Sequence, residues 1–572
     1  MILGISLGYN ASACIISDDG KLLYSGSEER FNNRKNTKMF PMLSIKNGIE
    51  SLNLNVEDIN ACYYSHYQNY DIYDLYRHNY NINDIIETRT IKQNRSLYKE
   101  ELLEKSFIEQ HLYMLGIECE TIERVNHHLS HAYCSYSLFE SKGNNNLYIV
   151  MDGFGDGLSI SAYRESVFGL SKIYEQPMCK SIALLYQFVT GALGFKEHQH
   201  EGKITGLASF GKPIYYDELK ELFENFSTFK NDSNVYSPII DFNIYEKMKK
   251  SVYSFVNNLL DKNEQSWETF ENISSSLQNY TEDYVIDIVK DIIDKCDLDC
   301  CDLYLSGGLF ANVKLNQHII DRIKNVNNIF IAPCMGDEGT CIGAVMSNLY
   351  PMKCVDKMSN KTMRIGTQKL ATINDIPENI HYDLIEDVDV LADDISKELS
   401  ENKIVCLFDG KMEFGPRALI GRSILYNCKD KNSNTWLNHQ LGRTEFMPFA
   451  PFCKEESIDK LFYNTNGKEV ALKNMTITVD CKEYFIENCP AACHIDNTAR
   501  PQVITKDELP IAWKILDCYE KRTGELALIN TSFNLHNFPI IESISNAIYS
   551  WLTSNTHCLY INCEEGWYKL YK

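Results

Sequence analysis

The chain has 572 residues, of which 44% are hydrophobic and 23% are charged, a composition that excludes disorder as its main state. Its 56 Lys and Arg against 78 Asp and Glu leave a formal net charge of −22, which argues against broad binding to nucleic acid or to an anionic membrane, because both need basic surfaces. At about 150 residues per domain, the length predicts several domains with ample core.

Cysteine usage and hydropathy predict a cytoplasmic protein without a membrane partner. The 20 cysteines include no CxxC pair and are too sparse for a disulfide scaffold, so we expect reduced thiols. The first residues lack the basic and apolar regions of a signal peptide. No apolar run reaches the length of about 18 residues that a membrane span needs.

Strand, glycine turn and helix recur along the first 350 residues. The pattern predicts a buried strand over 2–7 that enters a glycine turn, followed by strands over 13–16 and 22–25. Two later strands, over 147–151 and 303–305, also run into glycine-rich turns. This repetition is typical of a duplicated α/β nucleotide-binding fold.

The middle of the chain indicates a helix and then a domain boundary. Apolar residues at three- and four-residue spacing predict an amphipathic helix over Ile273–Ile292 that packs beside the second glycine turn. We place a first domain at 1–350, a polar linker without sustained periodicity at 351–379, and a second domain at 380–572.

A histidine-rich segment is the first candidate site. His127 and His131 are four residues apart, so on a helix they share a face and can reach one metal ion. Two imidazoles leave a metal short of ligands, and Asp152 and Asp337, in or beside glycine turns, are the candidate carboxylates. The alternative is that these histidines only cap or line a helix.

A glycine pair is the second candidate site. Gly307 and Gly308 follow a strand and precede a helix, so their backbone N–H groups are placed to approach a phosphate or a ribose. A second turn of this kind, at 336–339, favours a nucleotide cleft. A tight turn without a ligand is the alternative.

The third candidate is a glycine-spaced loop that contains Glu201 and Lys203. Lys203 is a candidate ligand of a phosphate, with Glu201 orienting its ammonium group. A surface loop with a solvated charge pair is the alternative.

The second domain carries several arginines in motif-like settings. A guanidinium binds phosphate or carboxylate through two parallel hydrogen bonds, and such cations are conspicuous in so acidic a chain. Each of them is alternatively a surface or structural arginine. The candidates, with two polar residues near a strand end, are Arg417, Arg422, Arg443, Arg500, Ser532 and Asn534.

An ordered set of motifs runs through nearly the whole chain: ILGISLGYNASACII, SEERFNNRK, HHLSHAY, MDGFGDG, EGKITGLASFGK, SGGLFANVKLN, GDEGT, EFGPRAL, RTEFMPFAP, HIDNTARPQ and NTSFN. With these motifs the chain resembles the O-carbamoyltransferase family of nodulation-factor and antibiotic carbamoyltransferases. The resemblance implies an α/β protein with an N-terminal Kae1-like domain, of the duplicated actin/Hsp70/sugar-kinase type, and a C-terminal YrdC-like domain.

The resemblance also implies a two-step reaction. Carbamoyl phosphate and ATP, with Mg²⁺, react in the C-terminal domain to give carbamoyl-adenylate and pyrophosphate. The carbamoyl group is then transferred to a hydroxyl in the N-terminal domain, at a divalent metal that is usually iron, with Mn²⁺ or Zn²⁺ as further possibilities.

The family's functional residues map onto this chain by motif. The implied metal ligands are His127, His131, Asp152 and Asp337. The implied adenosine and phosphate contacts are Glu201, Lys203, Gly307, Gly308 and Asn312. The implied carbamoyl-phosphate and ATP site, in which Arg443 also has a catalytic role, contains Arg417, Arg422, Ser423, Arg443, Arg500, Ser532 and Asn534.

Two departures from the family pattern affect these assignments. Tyr9 and Asn10 stand where many members carry His-Asp, so the base that accepts the hydroxyl proton must be another group, with His128 and Asp156 as candidates. Leu441 and Met447 replace two cations near the carbamoyl-phosphate site. Another basic residue such as His439 compensates for them, or the donor differs.

We therefore predict an ATP-dependent O-carbamoyltransferase that acts on a hydroxyl of a small molecule or glycan in natural product biosynthesis. One alternative is a related acyl-adenylate-forming transferase with a different donor. Another is a non-catalytic nucleotide-binding partner subunit, although the four candidate metal ligands argue against a pure scaffold.

Overall fold

A computed structural model describes most of the chain, namely residues 1–66, 97–140, 143, 145–226, 242–349, 363–368, 370–440 and 448–572. The chain divides into two compact units. The first contains Met1–Glu29 and Asn36–Ser359, and the second contains Arg30–Lys35 and Asn360–Lys572.

The first unit contains strands β1 to β10, and the second contains β11 to β22. In chain order they are β1 (Ile2–Leu7), β2 (Ser12–Ile16), β3 (Leu22–Ser27), β4 (Ala61–His66), β5 (Thr121–Val125), β6 (Asn146–Gly155), β7 (Leu158–Ser166), β8 (Gly169–Pro177), β9 (Cys301–Ser306), β10 (Val326–Ile331), β11 (Arg364–Gln368), β12 (His381–Ile385), β13 (Val405–Phe408), β14 (Lys411–Glu413), β15 (Arg422–Asn427), β16 (Ala450–Lys454), β17 (Val479–Asp480), β18 (Thr498–Ala499), β19 (Gln502–Ile504), β20 (Ala527–Ser532), β21 (Cys558–Cys563) and β22 (Gly566–Tyr571).

The α-helices of the described residues lie between these strands. In chain order they are α1 (Glu28–Asn32), α2 (Met42–Ser51), α3 (Leu97–Met114), α4 (His127–Leu138), α5 (Ile182–Ala192), α6 (Glu201–Ala208), α7 (Tyr216–Phe226), α8 (Phe242–Lys262), α9 (Trp267–Lys295), α10 (Val313–Arg322), α11 (Thr340–Leu349), α12 (Val388–Ser400), α13 (Ser433–Gln440), α14 (Ile458–Leu461), α15 (Glu469–Lys473), α16 (Glu483–Asn488), α17 (Pro510–Thr523) and α18 (Ile544–Thr553).

The first unit contains two five-stranded sheets with the same topology. Their strand orders are β3-β2-β1-β4-β5 and β8-β7-β6-β9-β10. In each sheet the central strand pairs antiparallel with the strand that follows it and parallel with the strand on its other side. The mixed α/β class is therefore confirmed, and a strand pattern that occurs twice agrees with the predicted duplication. The assignment to the Kae1-like type stays a prediction.

Continuous apolar runs explain why the central strands are covered on both faces. All residues of β1 are buried, and so are all residues of β9, as is typical of strands that have helices on both sides. The helix predicted over Ile273–Ile292 is confirmed within α9, whose N-cap Ser266 accepts a hydrogen bond from the backbone N–H of Thr269. Its apolar stripe, including Ile273 and Leu277, is buried.

The second unit is built on an eight-stranded sheet with the order β12-β22-β21-β13-β15-β20-β16-β19. Its apolar core contains Leu391 and Ile395 of α12, Ile515 of α17, and Phe452 of β16, all 0% exposed. In this order β15, β20 and β16 are neighbours, which places the ends of these strands side by side.

The polar stretch 351–379, predicted as a linker, contributes a strand to the second unit. Within it, β11 pairs antiparallel with β14. Local periodicity does not reveal a short strand of this kind, because its pairing depends on a partner that lies far along the chain. The linker prediction is therefore wrong for the residues of β11.

Two further observations concern the cysteines and the helices. Every cysteine within the described part of the chain is a free thiol. None of the helices that the structure describes is both long and apolar enough to cross a membrane.

Candidate active site

Four side chains predicted as metal ligands meet in the first unit. One ligand atom from each of His127, His131, Asp152 and Asp337 lies within 4.8 Å of the others. The Nε2 atom of His127 lies 3.2 Å from Nε2 of His131 and 3.2 Å from Oδ2 of Asp152. Both Nε2 atoms lie 3.6 Å from Oδ1 of Asp337.

Helix α4 positions the two histidines. The side chain of Asn126 caps the helix by accepting a hydrogen bond from the backbone N–H of Leu129 at 3.0 Å. His127 and His131 follow one turn apart on the same face, with ring centroids 4.7 Å apart. The sequence spacing therefore predicts this pair correctly.

One carboxylate comes from β6 and the other from the turn between β10 and α11. Asp152 was expected just beyond a strand ending at Met151, but β6 continues to Gly155, with an irregular register between Met151 and Gly155. Asp337 begins the short turn before α11, where its carbonyl oxygen accepts hydrogen bonds from the hydroxyls of Ser6 and Thr340 at 2.7 and 2.8 Å. The register irregularity lets Asp152 face the histidines from within the strand.

The pKa values of the two carboxylates move in opposite directions. Burial raises the pKa of Asp337 to about 7, and the neighbouring Asp152 carboxylate adds to this rise. Burial also acts to raise the pKa of Asp152, but the hydrogen bond with His127 and the charge on His131 outweigh it and hold that pKa below its usual range. Burial lowers the pKa of His131. Two partly exposed acids and two buried imidazoles thus lie close together.

The donor set fits a divalent metal. Protons on both facing Nε2 atoms would collide, so at least one imidazole of the pair presents a lone pair there. The Nδ1 atoms of His127 and His131 are buried and have no hydrogen-bond partner among the described residues. Two imidazole nitrogens and two carboxylate oxygens are ligands that Fe²⁺, Mn²⁺ and Zn²⁺ accept.

A buried ion network holds the start of α4. Asp156 accepts hydrogen bonds from the backbone N–H of His127 and from Nδ2 of Asn126, both at 2.7 Å. Its other carboxylate oxygen accepts one from Arg124 at 2.5 Å. Although burial acts to raise the pKa of Asp156, the charge of Arg124 and these hydrogen bonds lower it. Asp156 is therefore a poor candidate for the base.

His128, the other candidate base, is also occupied. It is 0% exposed, with Nδ1 2.9 Å from the hydroxyl of Ser161 and Nε2 3.2 Å from the carbonyl oxygen of Leu158. Burial, together with the nearby charge of His127, lowers its pKa to about 3. Both ring nitrogens have partners, so neither is free to accept a substrate proton.

The residues at the family's His-Asp position form a different cluster. The ring of Tyr9 stacks on the ring of His198 with centroids 4.0 Å apart, and the ammonium of Lys38 lies 3.9 Å from the centroid of Tyr9. Asn10 Nδ2 donates a hydrogen bond to Glu338 at 3.4 Å. Sequence reasoning missed His198 and Lys38, because stacking between distant segments leaves no local pattern.

The backbone N–H groups of the glycine pair make hydrogen bonds within the protein. The N–H of Gly307 donates to the carbonyl of Met335 at 2.8 Å, and the N–H of Gly308 donates to Oδ1 of Asp152 at 3.1 Å. Gly307 has φ +101°, and a Cβ there would lie 2.2 Å from the carbonyl oxygen of Met151. Gly308 thus supports Asp152, both N–H groups have partners within the protein, and the assignment of the pair to adenosine and phosphate contacts stays a prediction.

The predicted loop around Glu201 and Lys203 is a helix, α6, which corrects the sequence interpretation. Burial raises the pKa of Glu201 to about 7, and Oε1 of Glu201 accepts the backbone N–H of His198 at 2.6 Å. Lys203 is 8% exposed. The glycines of this segment suggested a loop, but α6 packs against α9, and this packing outweighs their low helix propensity.

Asn312 has a structural role next to the glycine pair. Its side-chain oxygen caps α10 by accepting the N–H of Leu315 at 3.1 Å, and its Nδ2 donates to Gln278 of α9 at 2.8 Å. Tyr186 donates to the same side-chain oxygen of Gln278 at 3.0 Å and lies 2.8 Å from the hydroxyl of Thr205 in α6. Hydrogen bonds therefore link α6 to the segment that follows the glycine pair.

The candidate polar residues of the second unit converge through strand pairing. Ser423 of β15 is the cross-strand partner of Ser532 of β20. The hydroxyl of Ser532 donates to Oδ1 of Asn534 at 2.5 Å. Arg500 lies just before β19, two strands from β20, so it belongs to the same part of the sheet. Arg443 lies outside the described residues, as do Leu441 and Met447, so its predicted role stays a prediction.

Arg417 of the FGPRAL segment and Arg422, five residues later, differ in their surroundings. Arg422 is 0% exposed, and its guanidinium donates to the carbonyl oxygens of Asp409 at 3.0 Å and Gly410 at 3.2 Å and stacks 3.6 Å from the ring centroid of Phe408. These contacts are those of a structural arginine. Burial lowers the pKa of Arg417 to about 10, and the Nε atoms of both arginines are buried without a partner among the described residues. Arg417 is the partly exposed one of the two, which leaves it better placed for an anion.

Two family models match the chain in succession. "Carbamoyltransferase N-terminus" matches residues 1–346, and "Carbamoyltransferase C-terminus" matches residues 396–564. An uncharacterised protein of Methanocaldococcus jannaschii is 30% identical over 572 residues, covering 98% of this chain and 98% of that protein. The 3'-hydroxymethylcephem-O-carbamoyltransferase of Amycolatopsis lactamdurans is 24% identical over 43% of this chain and 45% of its own length. Among solved structures, HypF of T. kodakarensis aligns with a TM-score of 0.31 and 12% identity over 61% of this chain and 47% of that one, which supports no conclusion.

Proposed function

The chain belongs to the carbamoyltransferase family and is a transferase, and from this premise we propose that it is an ATP-dependent O-carbamoyltransferase with two sites. The observation that carries the proposal is the convergence of two imidazoles and two carboxylates within 4.8 Å in the first unit. The acceptor is a hydroxyl of a small molecule or glycan, as the name of the cephem relative suggests for a hydroxymethyl group.

The second unit activates the carbamoyl group. Water cleaves carbamoyl phosphate to carbamate and phosphate, and a carbamate oxygen then attacks the α-phosphorus of Mg²⁺-bound ATP. Pyrophosphate leaves and carbamoyl-adenylate remains. In a chain with a net charge of −22 these anions need local cations, and Arg417 and Arg500 are the described residues that we assign to them. Arg443 is assigned with them from its motif.

The first unit transfers the carbamoyl group. The acceptor oxygen attacks the carbamoyl carbon, AMP leaves, and the hydroxyl proton passes to a base. A carbamoyl carbonyl is a poor electrophile because its nitrogen donates into it, so the mixed anhydride with AMP is needed as an activated form. A buried site keeps water away from this reactive group.

His127, His131, Asp152 and Asp337 would hold a divalent metal at the transfer site, with Fe²⁺ as our first assignment and Mn²⁺ or Zn²⁺ as alternatives. A bound metal supplies a Lewis acid for the negative charge that develops on oxygen. The chain itself aligns the ligands, because Gly308 and Asp156 hold Asp152 and the start of α4 by hydrogen bonds.

Two measurements test the proposal. The protein, incubated with Mn²⁺, Mg²⁺-ATP and carbamoyl phosphate, is expected to release pyrophosphate and phosphate and to form carbamoyl-adenylate, detected by mass spectrometry. Without carbamoyl phosphate no pyrophosphate is expected. Pyrophosphate release with another carboxylate or acyl phosphate, but none with carbamoyl phosphate, would contradict the assigned donor and favour the related transferase with a different donor.

A further inference from the structure

The carboxylate of Glu413, at the end of β14, has backbone N–H groups as its partners. Its Oε1 accepts hydrogen bonds from Leu419 at 2.9 Å, Gly421 at 2.5 Å and Arg422 at 3.0 Å. Glu413 is 1% exposed. A carboxylate buried this deeply needs hydrogen-bond donors or a cation, and here one turn supplies three donors to Oε1, while Oε2 has no partner among the described residues.

The turn that donates these bonds holds a strained residue. Ile420 has φ +70°, a backbone conformation that β-branched residues rarely adopt. Its N–H donates to the hydroxyl of Ser423 at 3.1 Å. A Cβ on Gly421 would lie 2.8 Å from Oε1 of Glu413, so a glycine is needed for the carboxylate to approach. Strain of this kind persists only where surrounding contacts enforce it.

The same turn follows directly on Arg417. The carbonyl of Ala418 accepts a hydrogen bond from Nδ2 of Asn530 at 3.1 Å, so the backbone on the C-terminal side of Arg417 is anchored to β20. On its N-terminal side the chain is anchored through Glu413. The Arg417 guanidinium, partly exposed and with its Nε unpartnered among the described residues, lies between these two anchors.

We propose that Glu413 is a positioning residue that clamps the strained turn at 419–422 and thereby orients the Arg417 guanidinium toward a phosphate-bearing anion. All four backbone N–H groups of that turn are occupied by Glu413 and Ser423, so the turn offers none of them to a phosphate. Recognition of the anion falls to side-chain cations instead. Naming carbamoyl phosphate as this anion rests on the proposed function of the second unit.

A double-mutant cycle tests the clamp without any substrate. Glu413→Gln keeps the shape of the side chain but weakens the acceptor, and Ile420→Gly removes the cost of the positive φ. We expect Glu413→Gln to lower the melting temperature markedly in the wild-type background and much less in the Ile420→Gly background, because a glycine adopts this conformation without a clamp. Glu398→Gln, a buried acid on α12, serves as the matched control and is expected to show no such coupling.

Binding of inorganic phosphate to the full chain, measured by calorimetry, tests the effect on Arg417. Glu413→Gln is expected to weaken phosphate binding about tenfold, with partial recovery when Ile420→Gly is added, whereas Glu398→Gln leaves it unchanged. In the pyrophosphate assay Glu413→Gln should raise the KM for carbamoyl phosphate by a larger factor than it lowers kcat.

The outcomes separate the two proposals. Additive effects of Glu413→Gln and Ile420→Gly on melting temperature, or unchanged phosphate binding in Glu413→Gln, would overturn the positioning role. If Glu413→Gln does not fold, folding of the double variant supports the clamp and its failure to fold overturns it. A wild-type chain that binds phosphate but releases no pyrophosphate with carbamoyl phosphate would contradict the proposed function and leave the clamp standing.

Discussion

The metal-ligand cluster of the first unit and the turn at 419–422 of the second unit both surround carboxylates, but they stabilise them in different ways. Asp152 and Asp337 face two imidazoles within 4.8 Å, in a space that combines two acids of divergent pKa. Glu413 instead accepts three backbone N–H groups of its own chain. The three backbone donors compensate one oxygen of Glu413, and its Oε2 is buried without a hydrogen-bond partner among the described residues, whereas two carboxylates that converge on two imidazoles form a candidate site for a metal ion.

This difference distinguishes side chains that could bind a ligand from side chains that hold the backbone in place. In the first unit the four candidate metal ligands face each other. Asp156 is not one of them, and it holds the start of α4 by accepting a hydrogen bond from the backbone N–H of His127. In the second unit Glu413 and Arg422 make hydrogen bonds to the backbone, and Arg417 is the partly exposed arginine that we assign to an anion. We therefore expect fewer of the motif's cations to contact a substrate than the sequence suggests.

The largest expected effect is that of His131→Ala. It removes one of the four ligand atoms, so we expect Mn²⁺ affinity, measured by calorimetry, to fall by at least about 100-fold. Carbamoyl transfer to added hydroxyl acceptors should be lost, while pyrophosphate release stays within about twofold, because we assign activation to the second unit. His381→Ala, on β12 of the second unit, is the control. Equal loss of both steps would contradict the separation of activation from transfer.

Arg417→Ala is expected to affect the candidate anion site of the second unit. Loss of a charge-assisted contact should raise the KM for carbamoyl phosphate about 100-fold with Mn²⁺ affinity unchanged. Arg417→Lys should recover only part of the loss, because a lysine cannot form the paired hydrogen bonds of a guanidinium. Arg522→Ala, which removes an arginine paired with Asp393, is the control. An unchanged KM would remove Arg417 from the anion site.

A pair of glycine substitutions tests how closely the metal ligands are packed. A Cβ on Gly155 would lie 2.0 Å from Cδ2 of His127, whereas the nearest atom to a Cβ on Gly153 is 3.7 Å away. We therefore expect Gly155→Ala to displace the His127 ring and lower Mn²⁺ affinity about tenfold, with Gly153→Ala near wild type. Equal affinities for the two variants would show that the position of His127 tolerates change.

The last prediction concerns folding stability and not a site: Glu28 is a carboxylate of the first unit that, like Glu413, accepts backbone N–H groups. Burial raises its pKa to about 7, against hydrogen bonds from the N–H groups of Ser44 and Leu43. The folded chain therefore holds this proton more tightly than the unfolded chain. The resulting stability is fully present below the unfolded pKa of about 4.5 and is lost as the pH rises through about 7.

Glu28→Gln removes this titration. Relative to wild type, its free energy of unfolding should increase between pH 4.5 and pH 8, by at most about 3 kcal/mol, as measured by urea denaturation at both pH values. The difference between the two proteins isolates Glu28 from other acids of raised pKa, such as Glu201. Parallel pH profiles would show that Glu28 does not titrate in this range.

Features that depend on residues close together in the sequence were predictable from it. The pairing of His127 with His131 follows from helical spacing, and the buried central strands follow from continuous apolar runs. The helix around Glu201 was missed because its glycines favour a loop locally, and only packing against α9 overrides that preference. The strand β11 was missed because its partner is distant.

By itself, the sequence determined the family, the α/β class and the identity of the four side chains that could hold a metal. Tertiary structure alone decided which polar groups satisfy one another: the N–H of Gly308 donates to Asp152, both nitrogens of His128 have partners, and Glu413 holds the turn after Arg417. The physical reason is that residue spacing along a helix or strand is set by covalent geometry, whereas burial and hydrogen-bond partners depend on which distant segments pack together.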